Sequence, residues 1–138
     1  MTILDTDIFS LLAAGHPRVR ERLAAEMDGA GITIVTRIEV LEGRFAAVKK
    51  AENGEGLLRA QQWLQRSEAD LATLDHIPFD AAAAAQFDRL RQNKKLKKVD
   101  RGDLLIANIA LAHRATLATR NLRDFRLIPG LGMENWAD

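Results

Sequence analysis

Two rhythms of apolar residues alternate along the chain. Thr2-Ile3-Leu4 is a short strand-forming run closed by Asp5-Thr6-Asp7. That triplet offers a cap for a helix from Ile8 to Ala14, which Gly15 stops. Pro17 suits the first turn of a second helix, with Val19, Leu23 and Met27 on one face and Arg18, Arg20, Glu21 and Arg22 outside. After the turn Asp28-Gly29-Ala30-Gly31, the run Ile32-Thr33-Ile34-Val35-Thr36 is β-branched throughout and predicts a buried strand. A helix is expected from about Arg37, with Ile38, Leu41 and Phe45 as its apolar stripe.

Asn53-Gly54-Glu55-Gly56 breaks the pattern, and the next helix carries Leu57, Leu58, Trp63 and Leu64. Leu71-Ala72-Thr73-Leu74 predicts a short strand. Asp80 caps an alanine-rich helix from Ala81 to about Arg91, and Asn93 to Lys98 form a basic loop. The segment Asp103 to Ala112 is apolar nearly all round, the mark of an inner helix. Thr116 to Thr119 predicts another strand, Arg120 to Phe125 a short polar segment, and Gly132-Met133 a last edge strand. Strands alternating with helices predict an α/β fold, a parallel sheet with right-handed crossovers and helices on both faces. With no internal repeat and no interdomain linker, residues 1–138 read as a single domain.

Composition narrows the function classes. A chain that is 47% hydrophobic and 28% charged is not a disordered one. No apolar run approaches the roughly 20 residues of a membrane helix, and the start Met1-Thr2-Ile3-Leu4-Asp5 lacks the basic flank of a signal peptide, so a cytoplasmic protein with no membrane partner is expected. The absence of cysteine excludes disulfides and thiolate metal sites. His16, His76 and His113 are scattered, which leaves carboxylates as the main candidate metal ligands. The net charge of +1 leaves a nucleic-acid partner to be decided by local charge, and five Phe with two Trp and no Tyr argue against stacking many bases.

In an open parallel sheet, ligands sit beyond the carboxyl ends of the strands, near the point where the strand order reverses. Four acids fall where that rule places chemistry. Asp5 ends the first strand, Glu39 opens the helix after the second, Asp103 opens the inner helix, and Asp124 follows the strand ending at Thr119. Taken singly, Asp5, Asp7 or Asp103 can be a helix cap, Glu39 a helix-dipole partner, and Asp124 a solvated charge. Taken together they repel one another unless protonated or neutralised by a cation. Mg²⁺ or Mn²⁺ is the hard ion suited to oxygen ligands, and such an ion points to phosphoryl or phosphodiester chemistry.

The sequence resembles the PIN-domain ribonucleases, and among them the VapC-type toxins of type II toxin–antitoxin pairs. Five blocks carry the resemblance in order: Ile3-Leu4-Asp5-Thr6-Asp7; Thr36-Arg37-Ile38-Glu39 with Gly43; Asp103-Leu104-Leu105-Ile106-Ala107; Leu117-Ala118-Thr119-Arg120-Asn121-Leu122-Arg123-Asp124-Phe125; and Ile128-Pro129-Gly130-Leu131 with Trp136. The resemblance implies a three-layer PIN-like (Rossmann-like) fold with about five parallel strands. It also implies a Mg²⁺-dependent endoribonuclease, for which Mn²⁺ can substitute, acting on a structured RNA such as tRNA. A VapB-type antitoxin and a homodimer are the implied partners.

Carried across, Asp5 and Asp103 are the principal metal ligands, with Glu39 binding directly or through water, and Asp124 or Asn121 completing the set. Thr6, Asp7, Thr119 and Asn121 would support the site. Two departures stand out: Asp7 replaces the family's usual Asn, and Asp100 adds an acid three residues before Asp103. RNA approaching an acidic centre needs flanking cations. Arg37, Arg120, Lys94 and Lys95 are the leading candidates, followed by Arg44, Lys97, Lys98 and Arg123.

Two rival readings follow from the residues. Asp5-Thr6-Asp7 also fits the Asp-x-Asp of haloacid-dehalogenase-like phosphatases, with Asp5 as nucleophile, but that reading gives Glu39 no role. A PIN-like module that binds RNA without cutting it would be marked by lost acids, and none is obviously lost.

Overall fold

A computed structural model describes residues 1–138. Its elements are β1 (Thr2–Leu4), α1 (Thr6–Ala13), α2 (Pro17–Ala25), β2 (Ala30–Thr33), α3 (Ile34–Lys50), α4 (Gly54–Leu71), β3 (Asp75–Ile77), α5 (Ala81–Arg91), α6 (Arg101–Ala112), β4 (Thr116–Ala118), α7 (Leu122–Phe125) and β5 (Met133–Glu134). A 3₁₀ turn at Lys94–Leu96 joins α5 to α6.

The five strands form one parallel sheet in the order β3-β2-β1-β4-β5. The chain builds outward from β1 through β2 to β3, then returns to place β4 on the other side of β1. The order therefore reverses between β1 and β4, where Ile3 lies beside Leu117 and Leu4 beside Ala118. Both faces of a parallel sheet must be covered, so its central strands read as apolar without alternation. Successive residues accordingly enter different cores. Ile3 and Leu117 pack with α5, α6 and α7 through Leu90, Ile106, Ile109 and Phe125. Leu4, Ile32 and Ala118 pack on the opposite face with Ile8, Phe9, Val19, Val40 and Trp136.

Helix ends follow local chemistry. Asp5 caps α1 by accepting from the Ile8 amide at 2.9 Å, and Asp80 caps α5 by accepting from the Ala83 amide at 3.0 Å. Gly15, with φ +85°, supplies the left-handed residue that ends α1.

Three sequence expectations are corrected. The strand expected over Ile32 to Thr36 ends at Thr33, and Ile34, Val35 and Thr36 form the first turn of α3. Val35, Thr36 and Val40 are the buried side of that helix, and this packing outweighs their β-branched preference. Of the expected stripe only Leu41 packs against the core, while Ile38 and Phe45 face outward, 47% and 48% exposed. The strand expected at Leu71 to Leu74 is the end of α4 and a turn, and the true strand is β3. Asp75 and His76 of β3 are exposed, so this edge strand carries little apolar signal.

Gly31 sets the spacing of β2 against β3. A Cβ at this position would lie 2.8 Å from the Asp75 carbonyl oxygen and 2.9 Å from the Ile77 side chain. Gly31→Ala is expected to lower stability by about 1–3 kcal/mol, the usual cost of overpacking, read as a lower urea midpoint at unchanged m-value.

Candidate active site

The strand order reverses between β1 and β4, and beyond the carboxyl ends of two such strands an open parallel sheet offers its ligand crevice. Asp5 stands at its floor, directly after β1, with its amide donating to the Ala118 carbonyl at 3.1 Å and its side chain 6% exposed. The cap it provides for α1 uses Oδ1. Thr119, fully buried, follows β4, and its hydroxyl accepts from the Asn121 amide at 2.9 Å. This turn carries Asn121, whose Nδ2 donates to Asp124 Oδ2 at 3.0 Å. The two residues between which the sequence could not choose are therefore hydrogen-bonded partners.

Glu39 enters from α3. Because that helix begins at Ile34, Glu39 lies in its second turn rather than its first. Thr36, three residues earlier, shares its face. The Thr6 hydroxyl donates to Glu39 Oε1 at 2.9 Å and lies 3.0 Å from the Thr36 hydroxyl. With its one proton given to Glu39, Thr6 accepts from Thr36. The resulting chain, Thr36 to Thr6 to Glu39, fixes one carboxylate oxygen and leaves Oε2 without a protein partner.

Asp103 and Asp100 enter from α6. The helix starts at Arg101, two residues earlier than expected, and its cap is Asp100, whose Oδ2 accepts from the Gly102 and Asp103 amides at 3.0 and 3.3 Å. With the cap supplied by Asp100, Asp103 is freed from that duty. Gly102 lies beside α3: a Cβ there would meet Val35 at 3.6 Å and Glu39 Oε1 at 3.7 Å, ordinary contact distances.

Electrostatics tie these groups together. Burial, first, and then the charges of Asp100, Asp5, Glu39 and Asp124 push the Asp103 carboxyl up to about 6. Burial also raises Asp5, opposed by the Thr119 hydroxyl and the Ile8 amide and reinforced by Asp7 and Glu39. The charges of Asp5, Glu39 and Asp124, from three other segments, thus all reach Asp103, and that of Glu39 also reaches Asp5. The oxygen-only donor set suits a hard divalent ion. No three His, Asp or Glu side chains stand close enough to make a ready-made cage.

A family model described as PIN domain matches residues 2–131. The chain belongs to the PIN-domain family. This PIN domain is 30% identical to Ribonuclease VapC2 of Rickettsia felis over 139 residues, spanning 97% of the chain and 96% of that protein. It is 26% identical to the tRNA(fMet)-specific endonuclease VapC of Salmonella typhimurium, spanning 97% of the chain and 96% of that protein. The crystal structure of VapBC2 from Rickettsia felis bound to a DNA fragment from their promoter contains a chain that superposes with TM-score 0.80 at 28% identity, covering 98% of each.

The basic residues singled out from the sequence are dispersed around this PIN domain. Arg37 and Glu39, two positions apart on α3, differ by about 200° around the helix, so Arg37 points away from the Glu39 side and lines an outer groove with Ile34, Ile38 and Phe45. Arg120 is exposed directly after Thr119, and Lys94 and Lys95 are exposed on the 3₁₀ turn. Arg44 is remote in character: it lies over Trp63 at 3.5 Å from the ring centroid and donates to Ser67 at 2.8 Å. Sequence reasoning missed Thr36 as a partner of the site. Its i,i+3 spacing from Glu39 was a usable signal once α3 was seen to begin at Ile34.

The raised Asp103 value has a stability consequence. Unfolded, this carboxyl ionises near 3.8, whereas folded it holds its proton to about 6. Between those values the folded state binds the extra proton, so stability falls as pH rises through this window and the loss is complete above it. Asp103→Asn is expected to exceed the parent in stability by about 1 kcal/mol near pH 7.5, after allowance for solvent screening of a half-buried group. The gain should shrink near about pH 4, where the folded parent is protonated; urea unfolding at both pH values measures it.

Proposed function

We propose that this PIN domain is an endoribonuclease toxin that hydrolyses RNA phosphodiester bonds with Mg²⁺, or Mn²⁺ in its place, and that a VapB-type antitoxin neutralises it. The carrying observation is the convergence of Asp5, Glu39, Asp103 and Asp124 at the reversal between β1 and β4, with Asp103 raised to about 6 by burial and its acidic neighbours. The relatives named as ribonuclease and tRNA(fMet)-specific endonuclease support RNA as substrate and a tRNA as the structured RNA. The likeness to a chain in a VapBC2 complex supports the antitoxin. An RNA substrate and the lack of a helix long and apolar enough to cross a membrane suit a cytoplasmic site of action.

Asp5 and Asp103 would hold the ion, with Glu39 and Asp124 bound to it directly or through water. The bound ion supplies charge neutralisation at the phosphate and lowers the pKa of water. Glu39, oriented through Oε1 by Thr6, accepts the proton of the attacking water at Oε2. Asn121 holds Asp124 in place, and the Thr119 hydroxyl steadies the buried Asp5. Arg120, beside this turn, is placed to meet the RNA backbone. A homodimer is part of the proposal, and the exposed stripe Ile34, Ile38 and Phe45 on α3 supports it.

Purified protein should cut RNA with Mg²⁺ and stop with EDTA. Asp5→Asn and Asp103→Asn should each lose roughly a hundredfold or more in rate, above the 10–100-fold typical of residues that only orient ligands. Thr6→Val should lose less, because Glu39 remains. Cleavage surviving undiminished in both Asn variants would refute the assignment. The ion's place is checked independently by melting: Mg²⁺ should raise the Tm of the parent and leave Asp103→Asn nearly unmoved.

A further inference from the structure

An acidic centre needs positive charge beside it to receive a polyanion, and the structure joins Lys97 of the basic loop to two arginines, Arg91 and Arg101, that the sequence did not single out. Between α5, the 3₁₀ turn and α6 lies a cavity of about 330 Å³, near the lower end of small-ligand sites. Phe87, Arg91, Lys97, Arg101, Leu96 and Leu104 are among its lining residues, and no acid lines it. The Arg91 and Arg101 guanidinium carbons lie 5.7 and 5.8 Å from the Phe87 ring centroid. Phe79 meets the same ring edge-on at 6.4 Å and 77°, which holds its orientation. Arg91, Lys97 and Arg101 form none of the chain's salt bridges. Their charge is thus available to a ligand, and two of the three are already drawn to an aromatic surface.

Position links the cavity to the acids. Arg101 follows the α6 cap Asp100, and Leu104 follows Asp103. The cavity and the acids thus share the start of α6. We propose that this cavity binds a nucleotide of the RNA next to the cleaved link, with Phe87 against the base and Arg91, Lys97 and Arg101 around the phosphate. The proposal rests on the ribonuclease reading for the identity of the polyanion. An aromatic ring held beside guanidinium groups fits a base joined to a phosphate. An acidic protein segment would use the cations and leave the ring without a role.

The test uses a fluorescein-labelled RNA stem-loop and the full chain. Anisotropy in EDTA measures binding without cleavage, and steady-state cleavage with Mg²⁺ separates KM from kcat. The exposed Arg91→Ala/Lys97→Ala pair is expected to weaken binding at least tenfold and to flatten the salt dependence by about 0.7 per lost phosphate contact. It should raise KM while keeping kcat within about threefold, as removal of binding shared by ground and transition states does. Phe87→Ala should weaken binding with an unchanged salt slope, and Lys49→Ala/Lys50→Ala, a charge-matched pair on α3, should bind as the parent does. Equal RNA binding by the parent and the Arg91/Lys97 variant overturns the proposal, even if the protein cuts RNA. So does poly-glutamate binding that depends on these residues where RNA binding does not. If RNA binding depends on the cavity residues but no RNA is cut, the ribonuclease reading fails and the cavity assignment stands.

Discussion

Repulsion among carboxylates is the constraint that the carboxyl edge of this sheet has to meet. A parallel sheet that reverses its strand order beside β1 must expose backbone ends there, and this chain fills the gap with acids from the α1 cap, α3, α6 and α7. Burial makes Asp5 and Asp103 harder to ionise, and the neighbouring acids add to the cost. Local hydrogen bonds offset part of it. The Ile8 amide and the Thr119 hydroxyl favour charge on Asp5, Thr6 donates to Glu39, and Asn121 donates to Asp124. Asp103 receives the least such help: its own α6 amides are turned toward Asp100. It is the group with the most to gain from a neighbouring cation.

The division of labour between Asp100 and Asp103 follows from the same constraint. A helix start needs an acceptor for its first amides, and an acid in that role has one oxygen committed. Asp5 carries both burdens, using Oδ1 for the α1 cap at the floor of the crevice. At α6 the burdens are split. Asp100 takes the cap, and Asp103, one turn in and half-buried, keeps its oxygens for the crevice. The second acid that departs from the family's pattern thus has a structural task.

The placement of Asp5, Glu39, Asp103 and Asp124 was legible because topology alone assigns it: each lies just past a strand or near a helix start, and a parallel sheet gathers those ends at one edge. What was illegible depended on packing across the sheet. Ile34, Val35 and Thr36 have strand propensity, but Val35 and Thr36 gain burial only as the first turn of α3. β3 is an edge strand whose exposed Asp75 and His76 give no periodic signal. The alanine-rich helix from Ala81 to about Arg91 gave no reason to single out Phe87 and Arg91, and only the approach of α5 to α6 turns them into the wall of a cavity.

A chain with 20 basic and 19 acidic residues has no net field with which to attract RNA. Attraction must come from segregation, with acids gathered at the sheet edge and unpaired cations beside them. Screening limits that arrangement to about 8 Å at physiological ionic strength, so cations far around the surface contribute little at the acidic centre. This makes the side of α6 that faces α5 more telling than the count of lysines in the loop. Lys94 and Lys95 extend into solvent, whereas Arg91 and Arg101 are held near Phe87. Held cations lose less entropy on meeting a phosphate than free lysines do. In the proposed ribonuclease, acid centre and basic cavity would act as one device: the first would repel an unneutralised backbone, and the second would hold that backbone beside it.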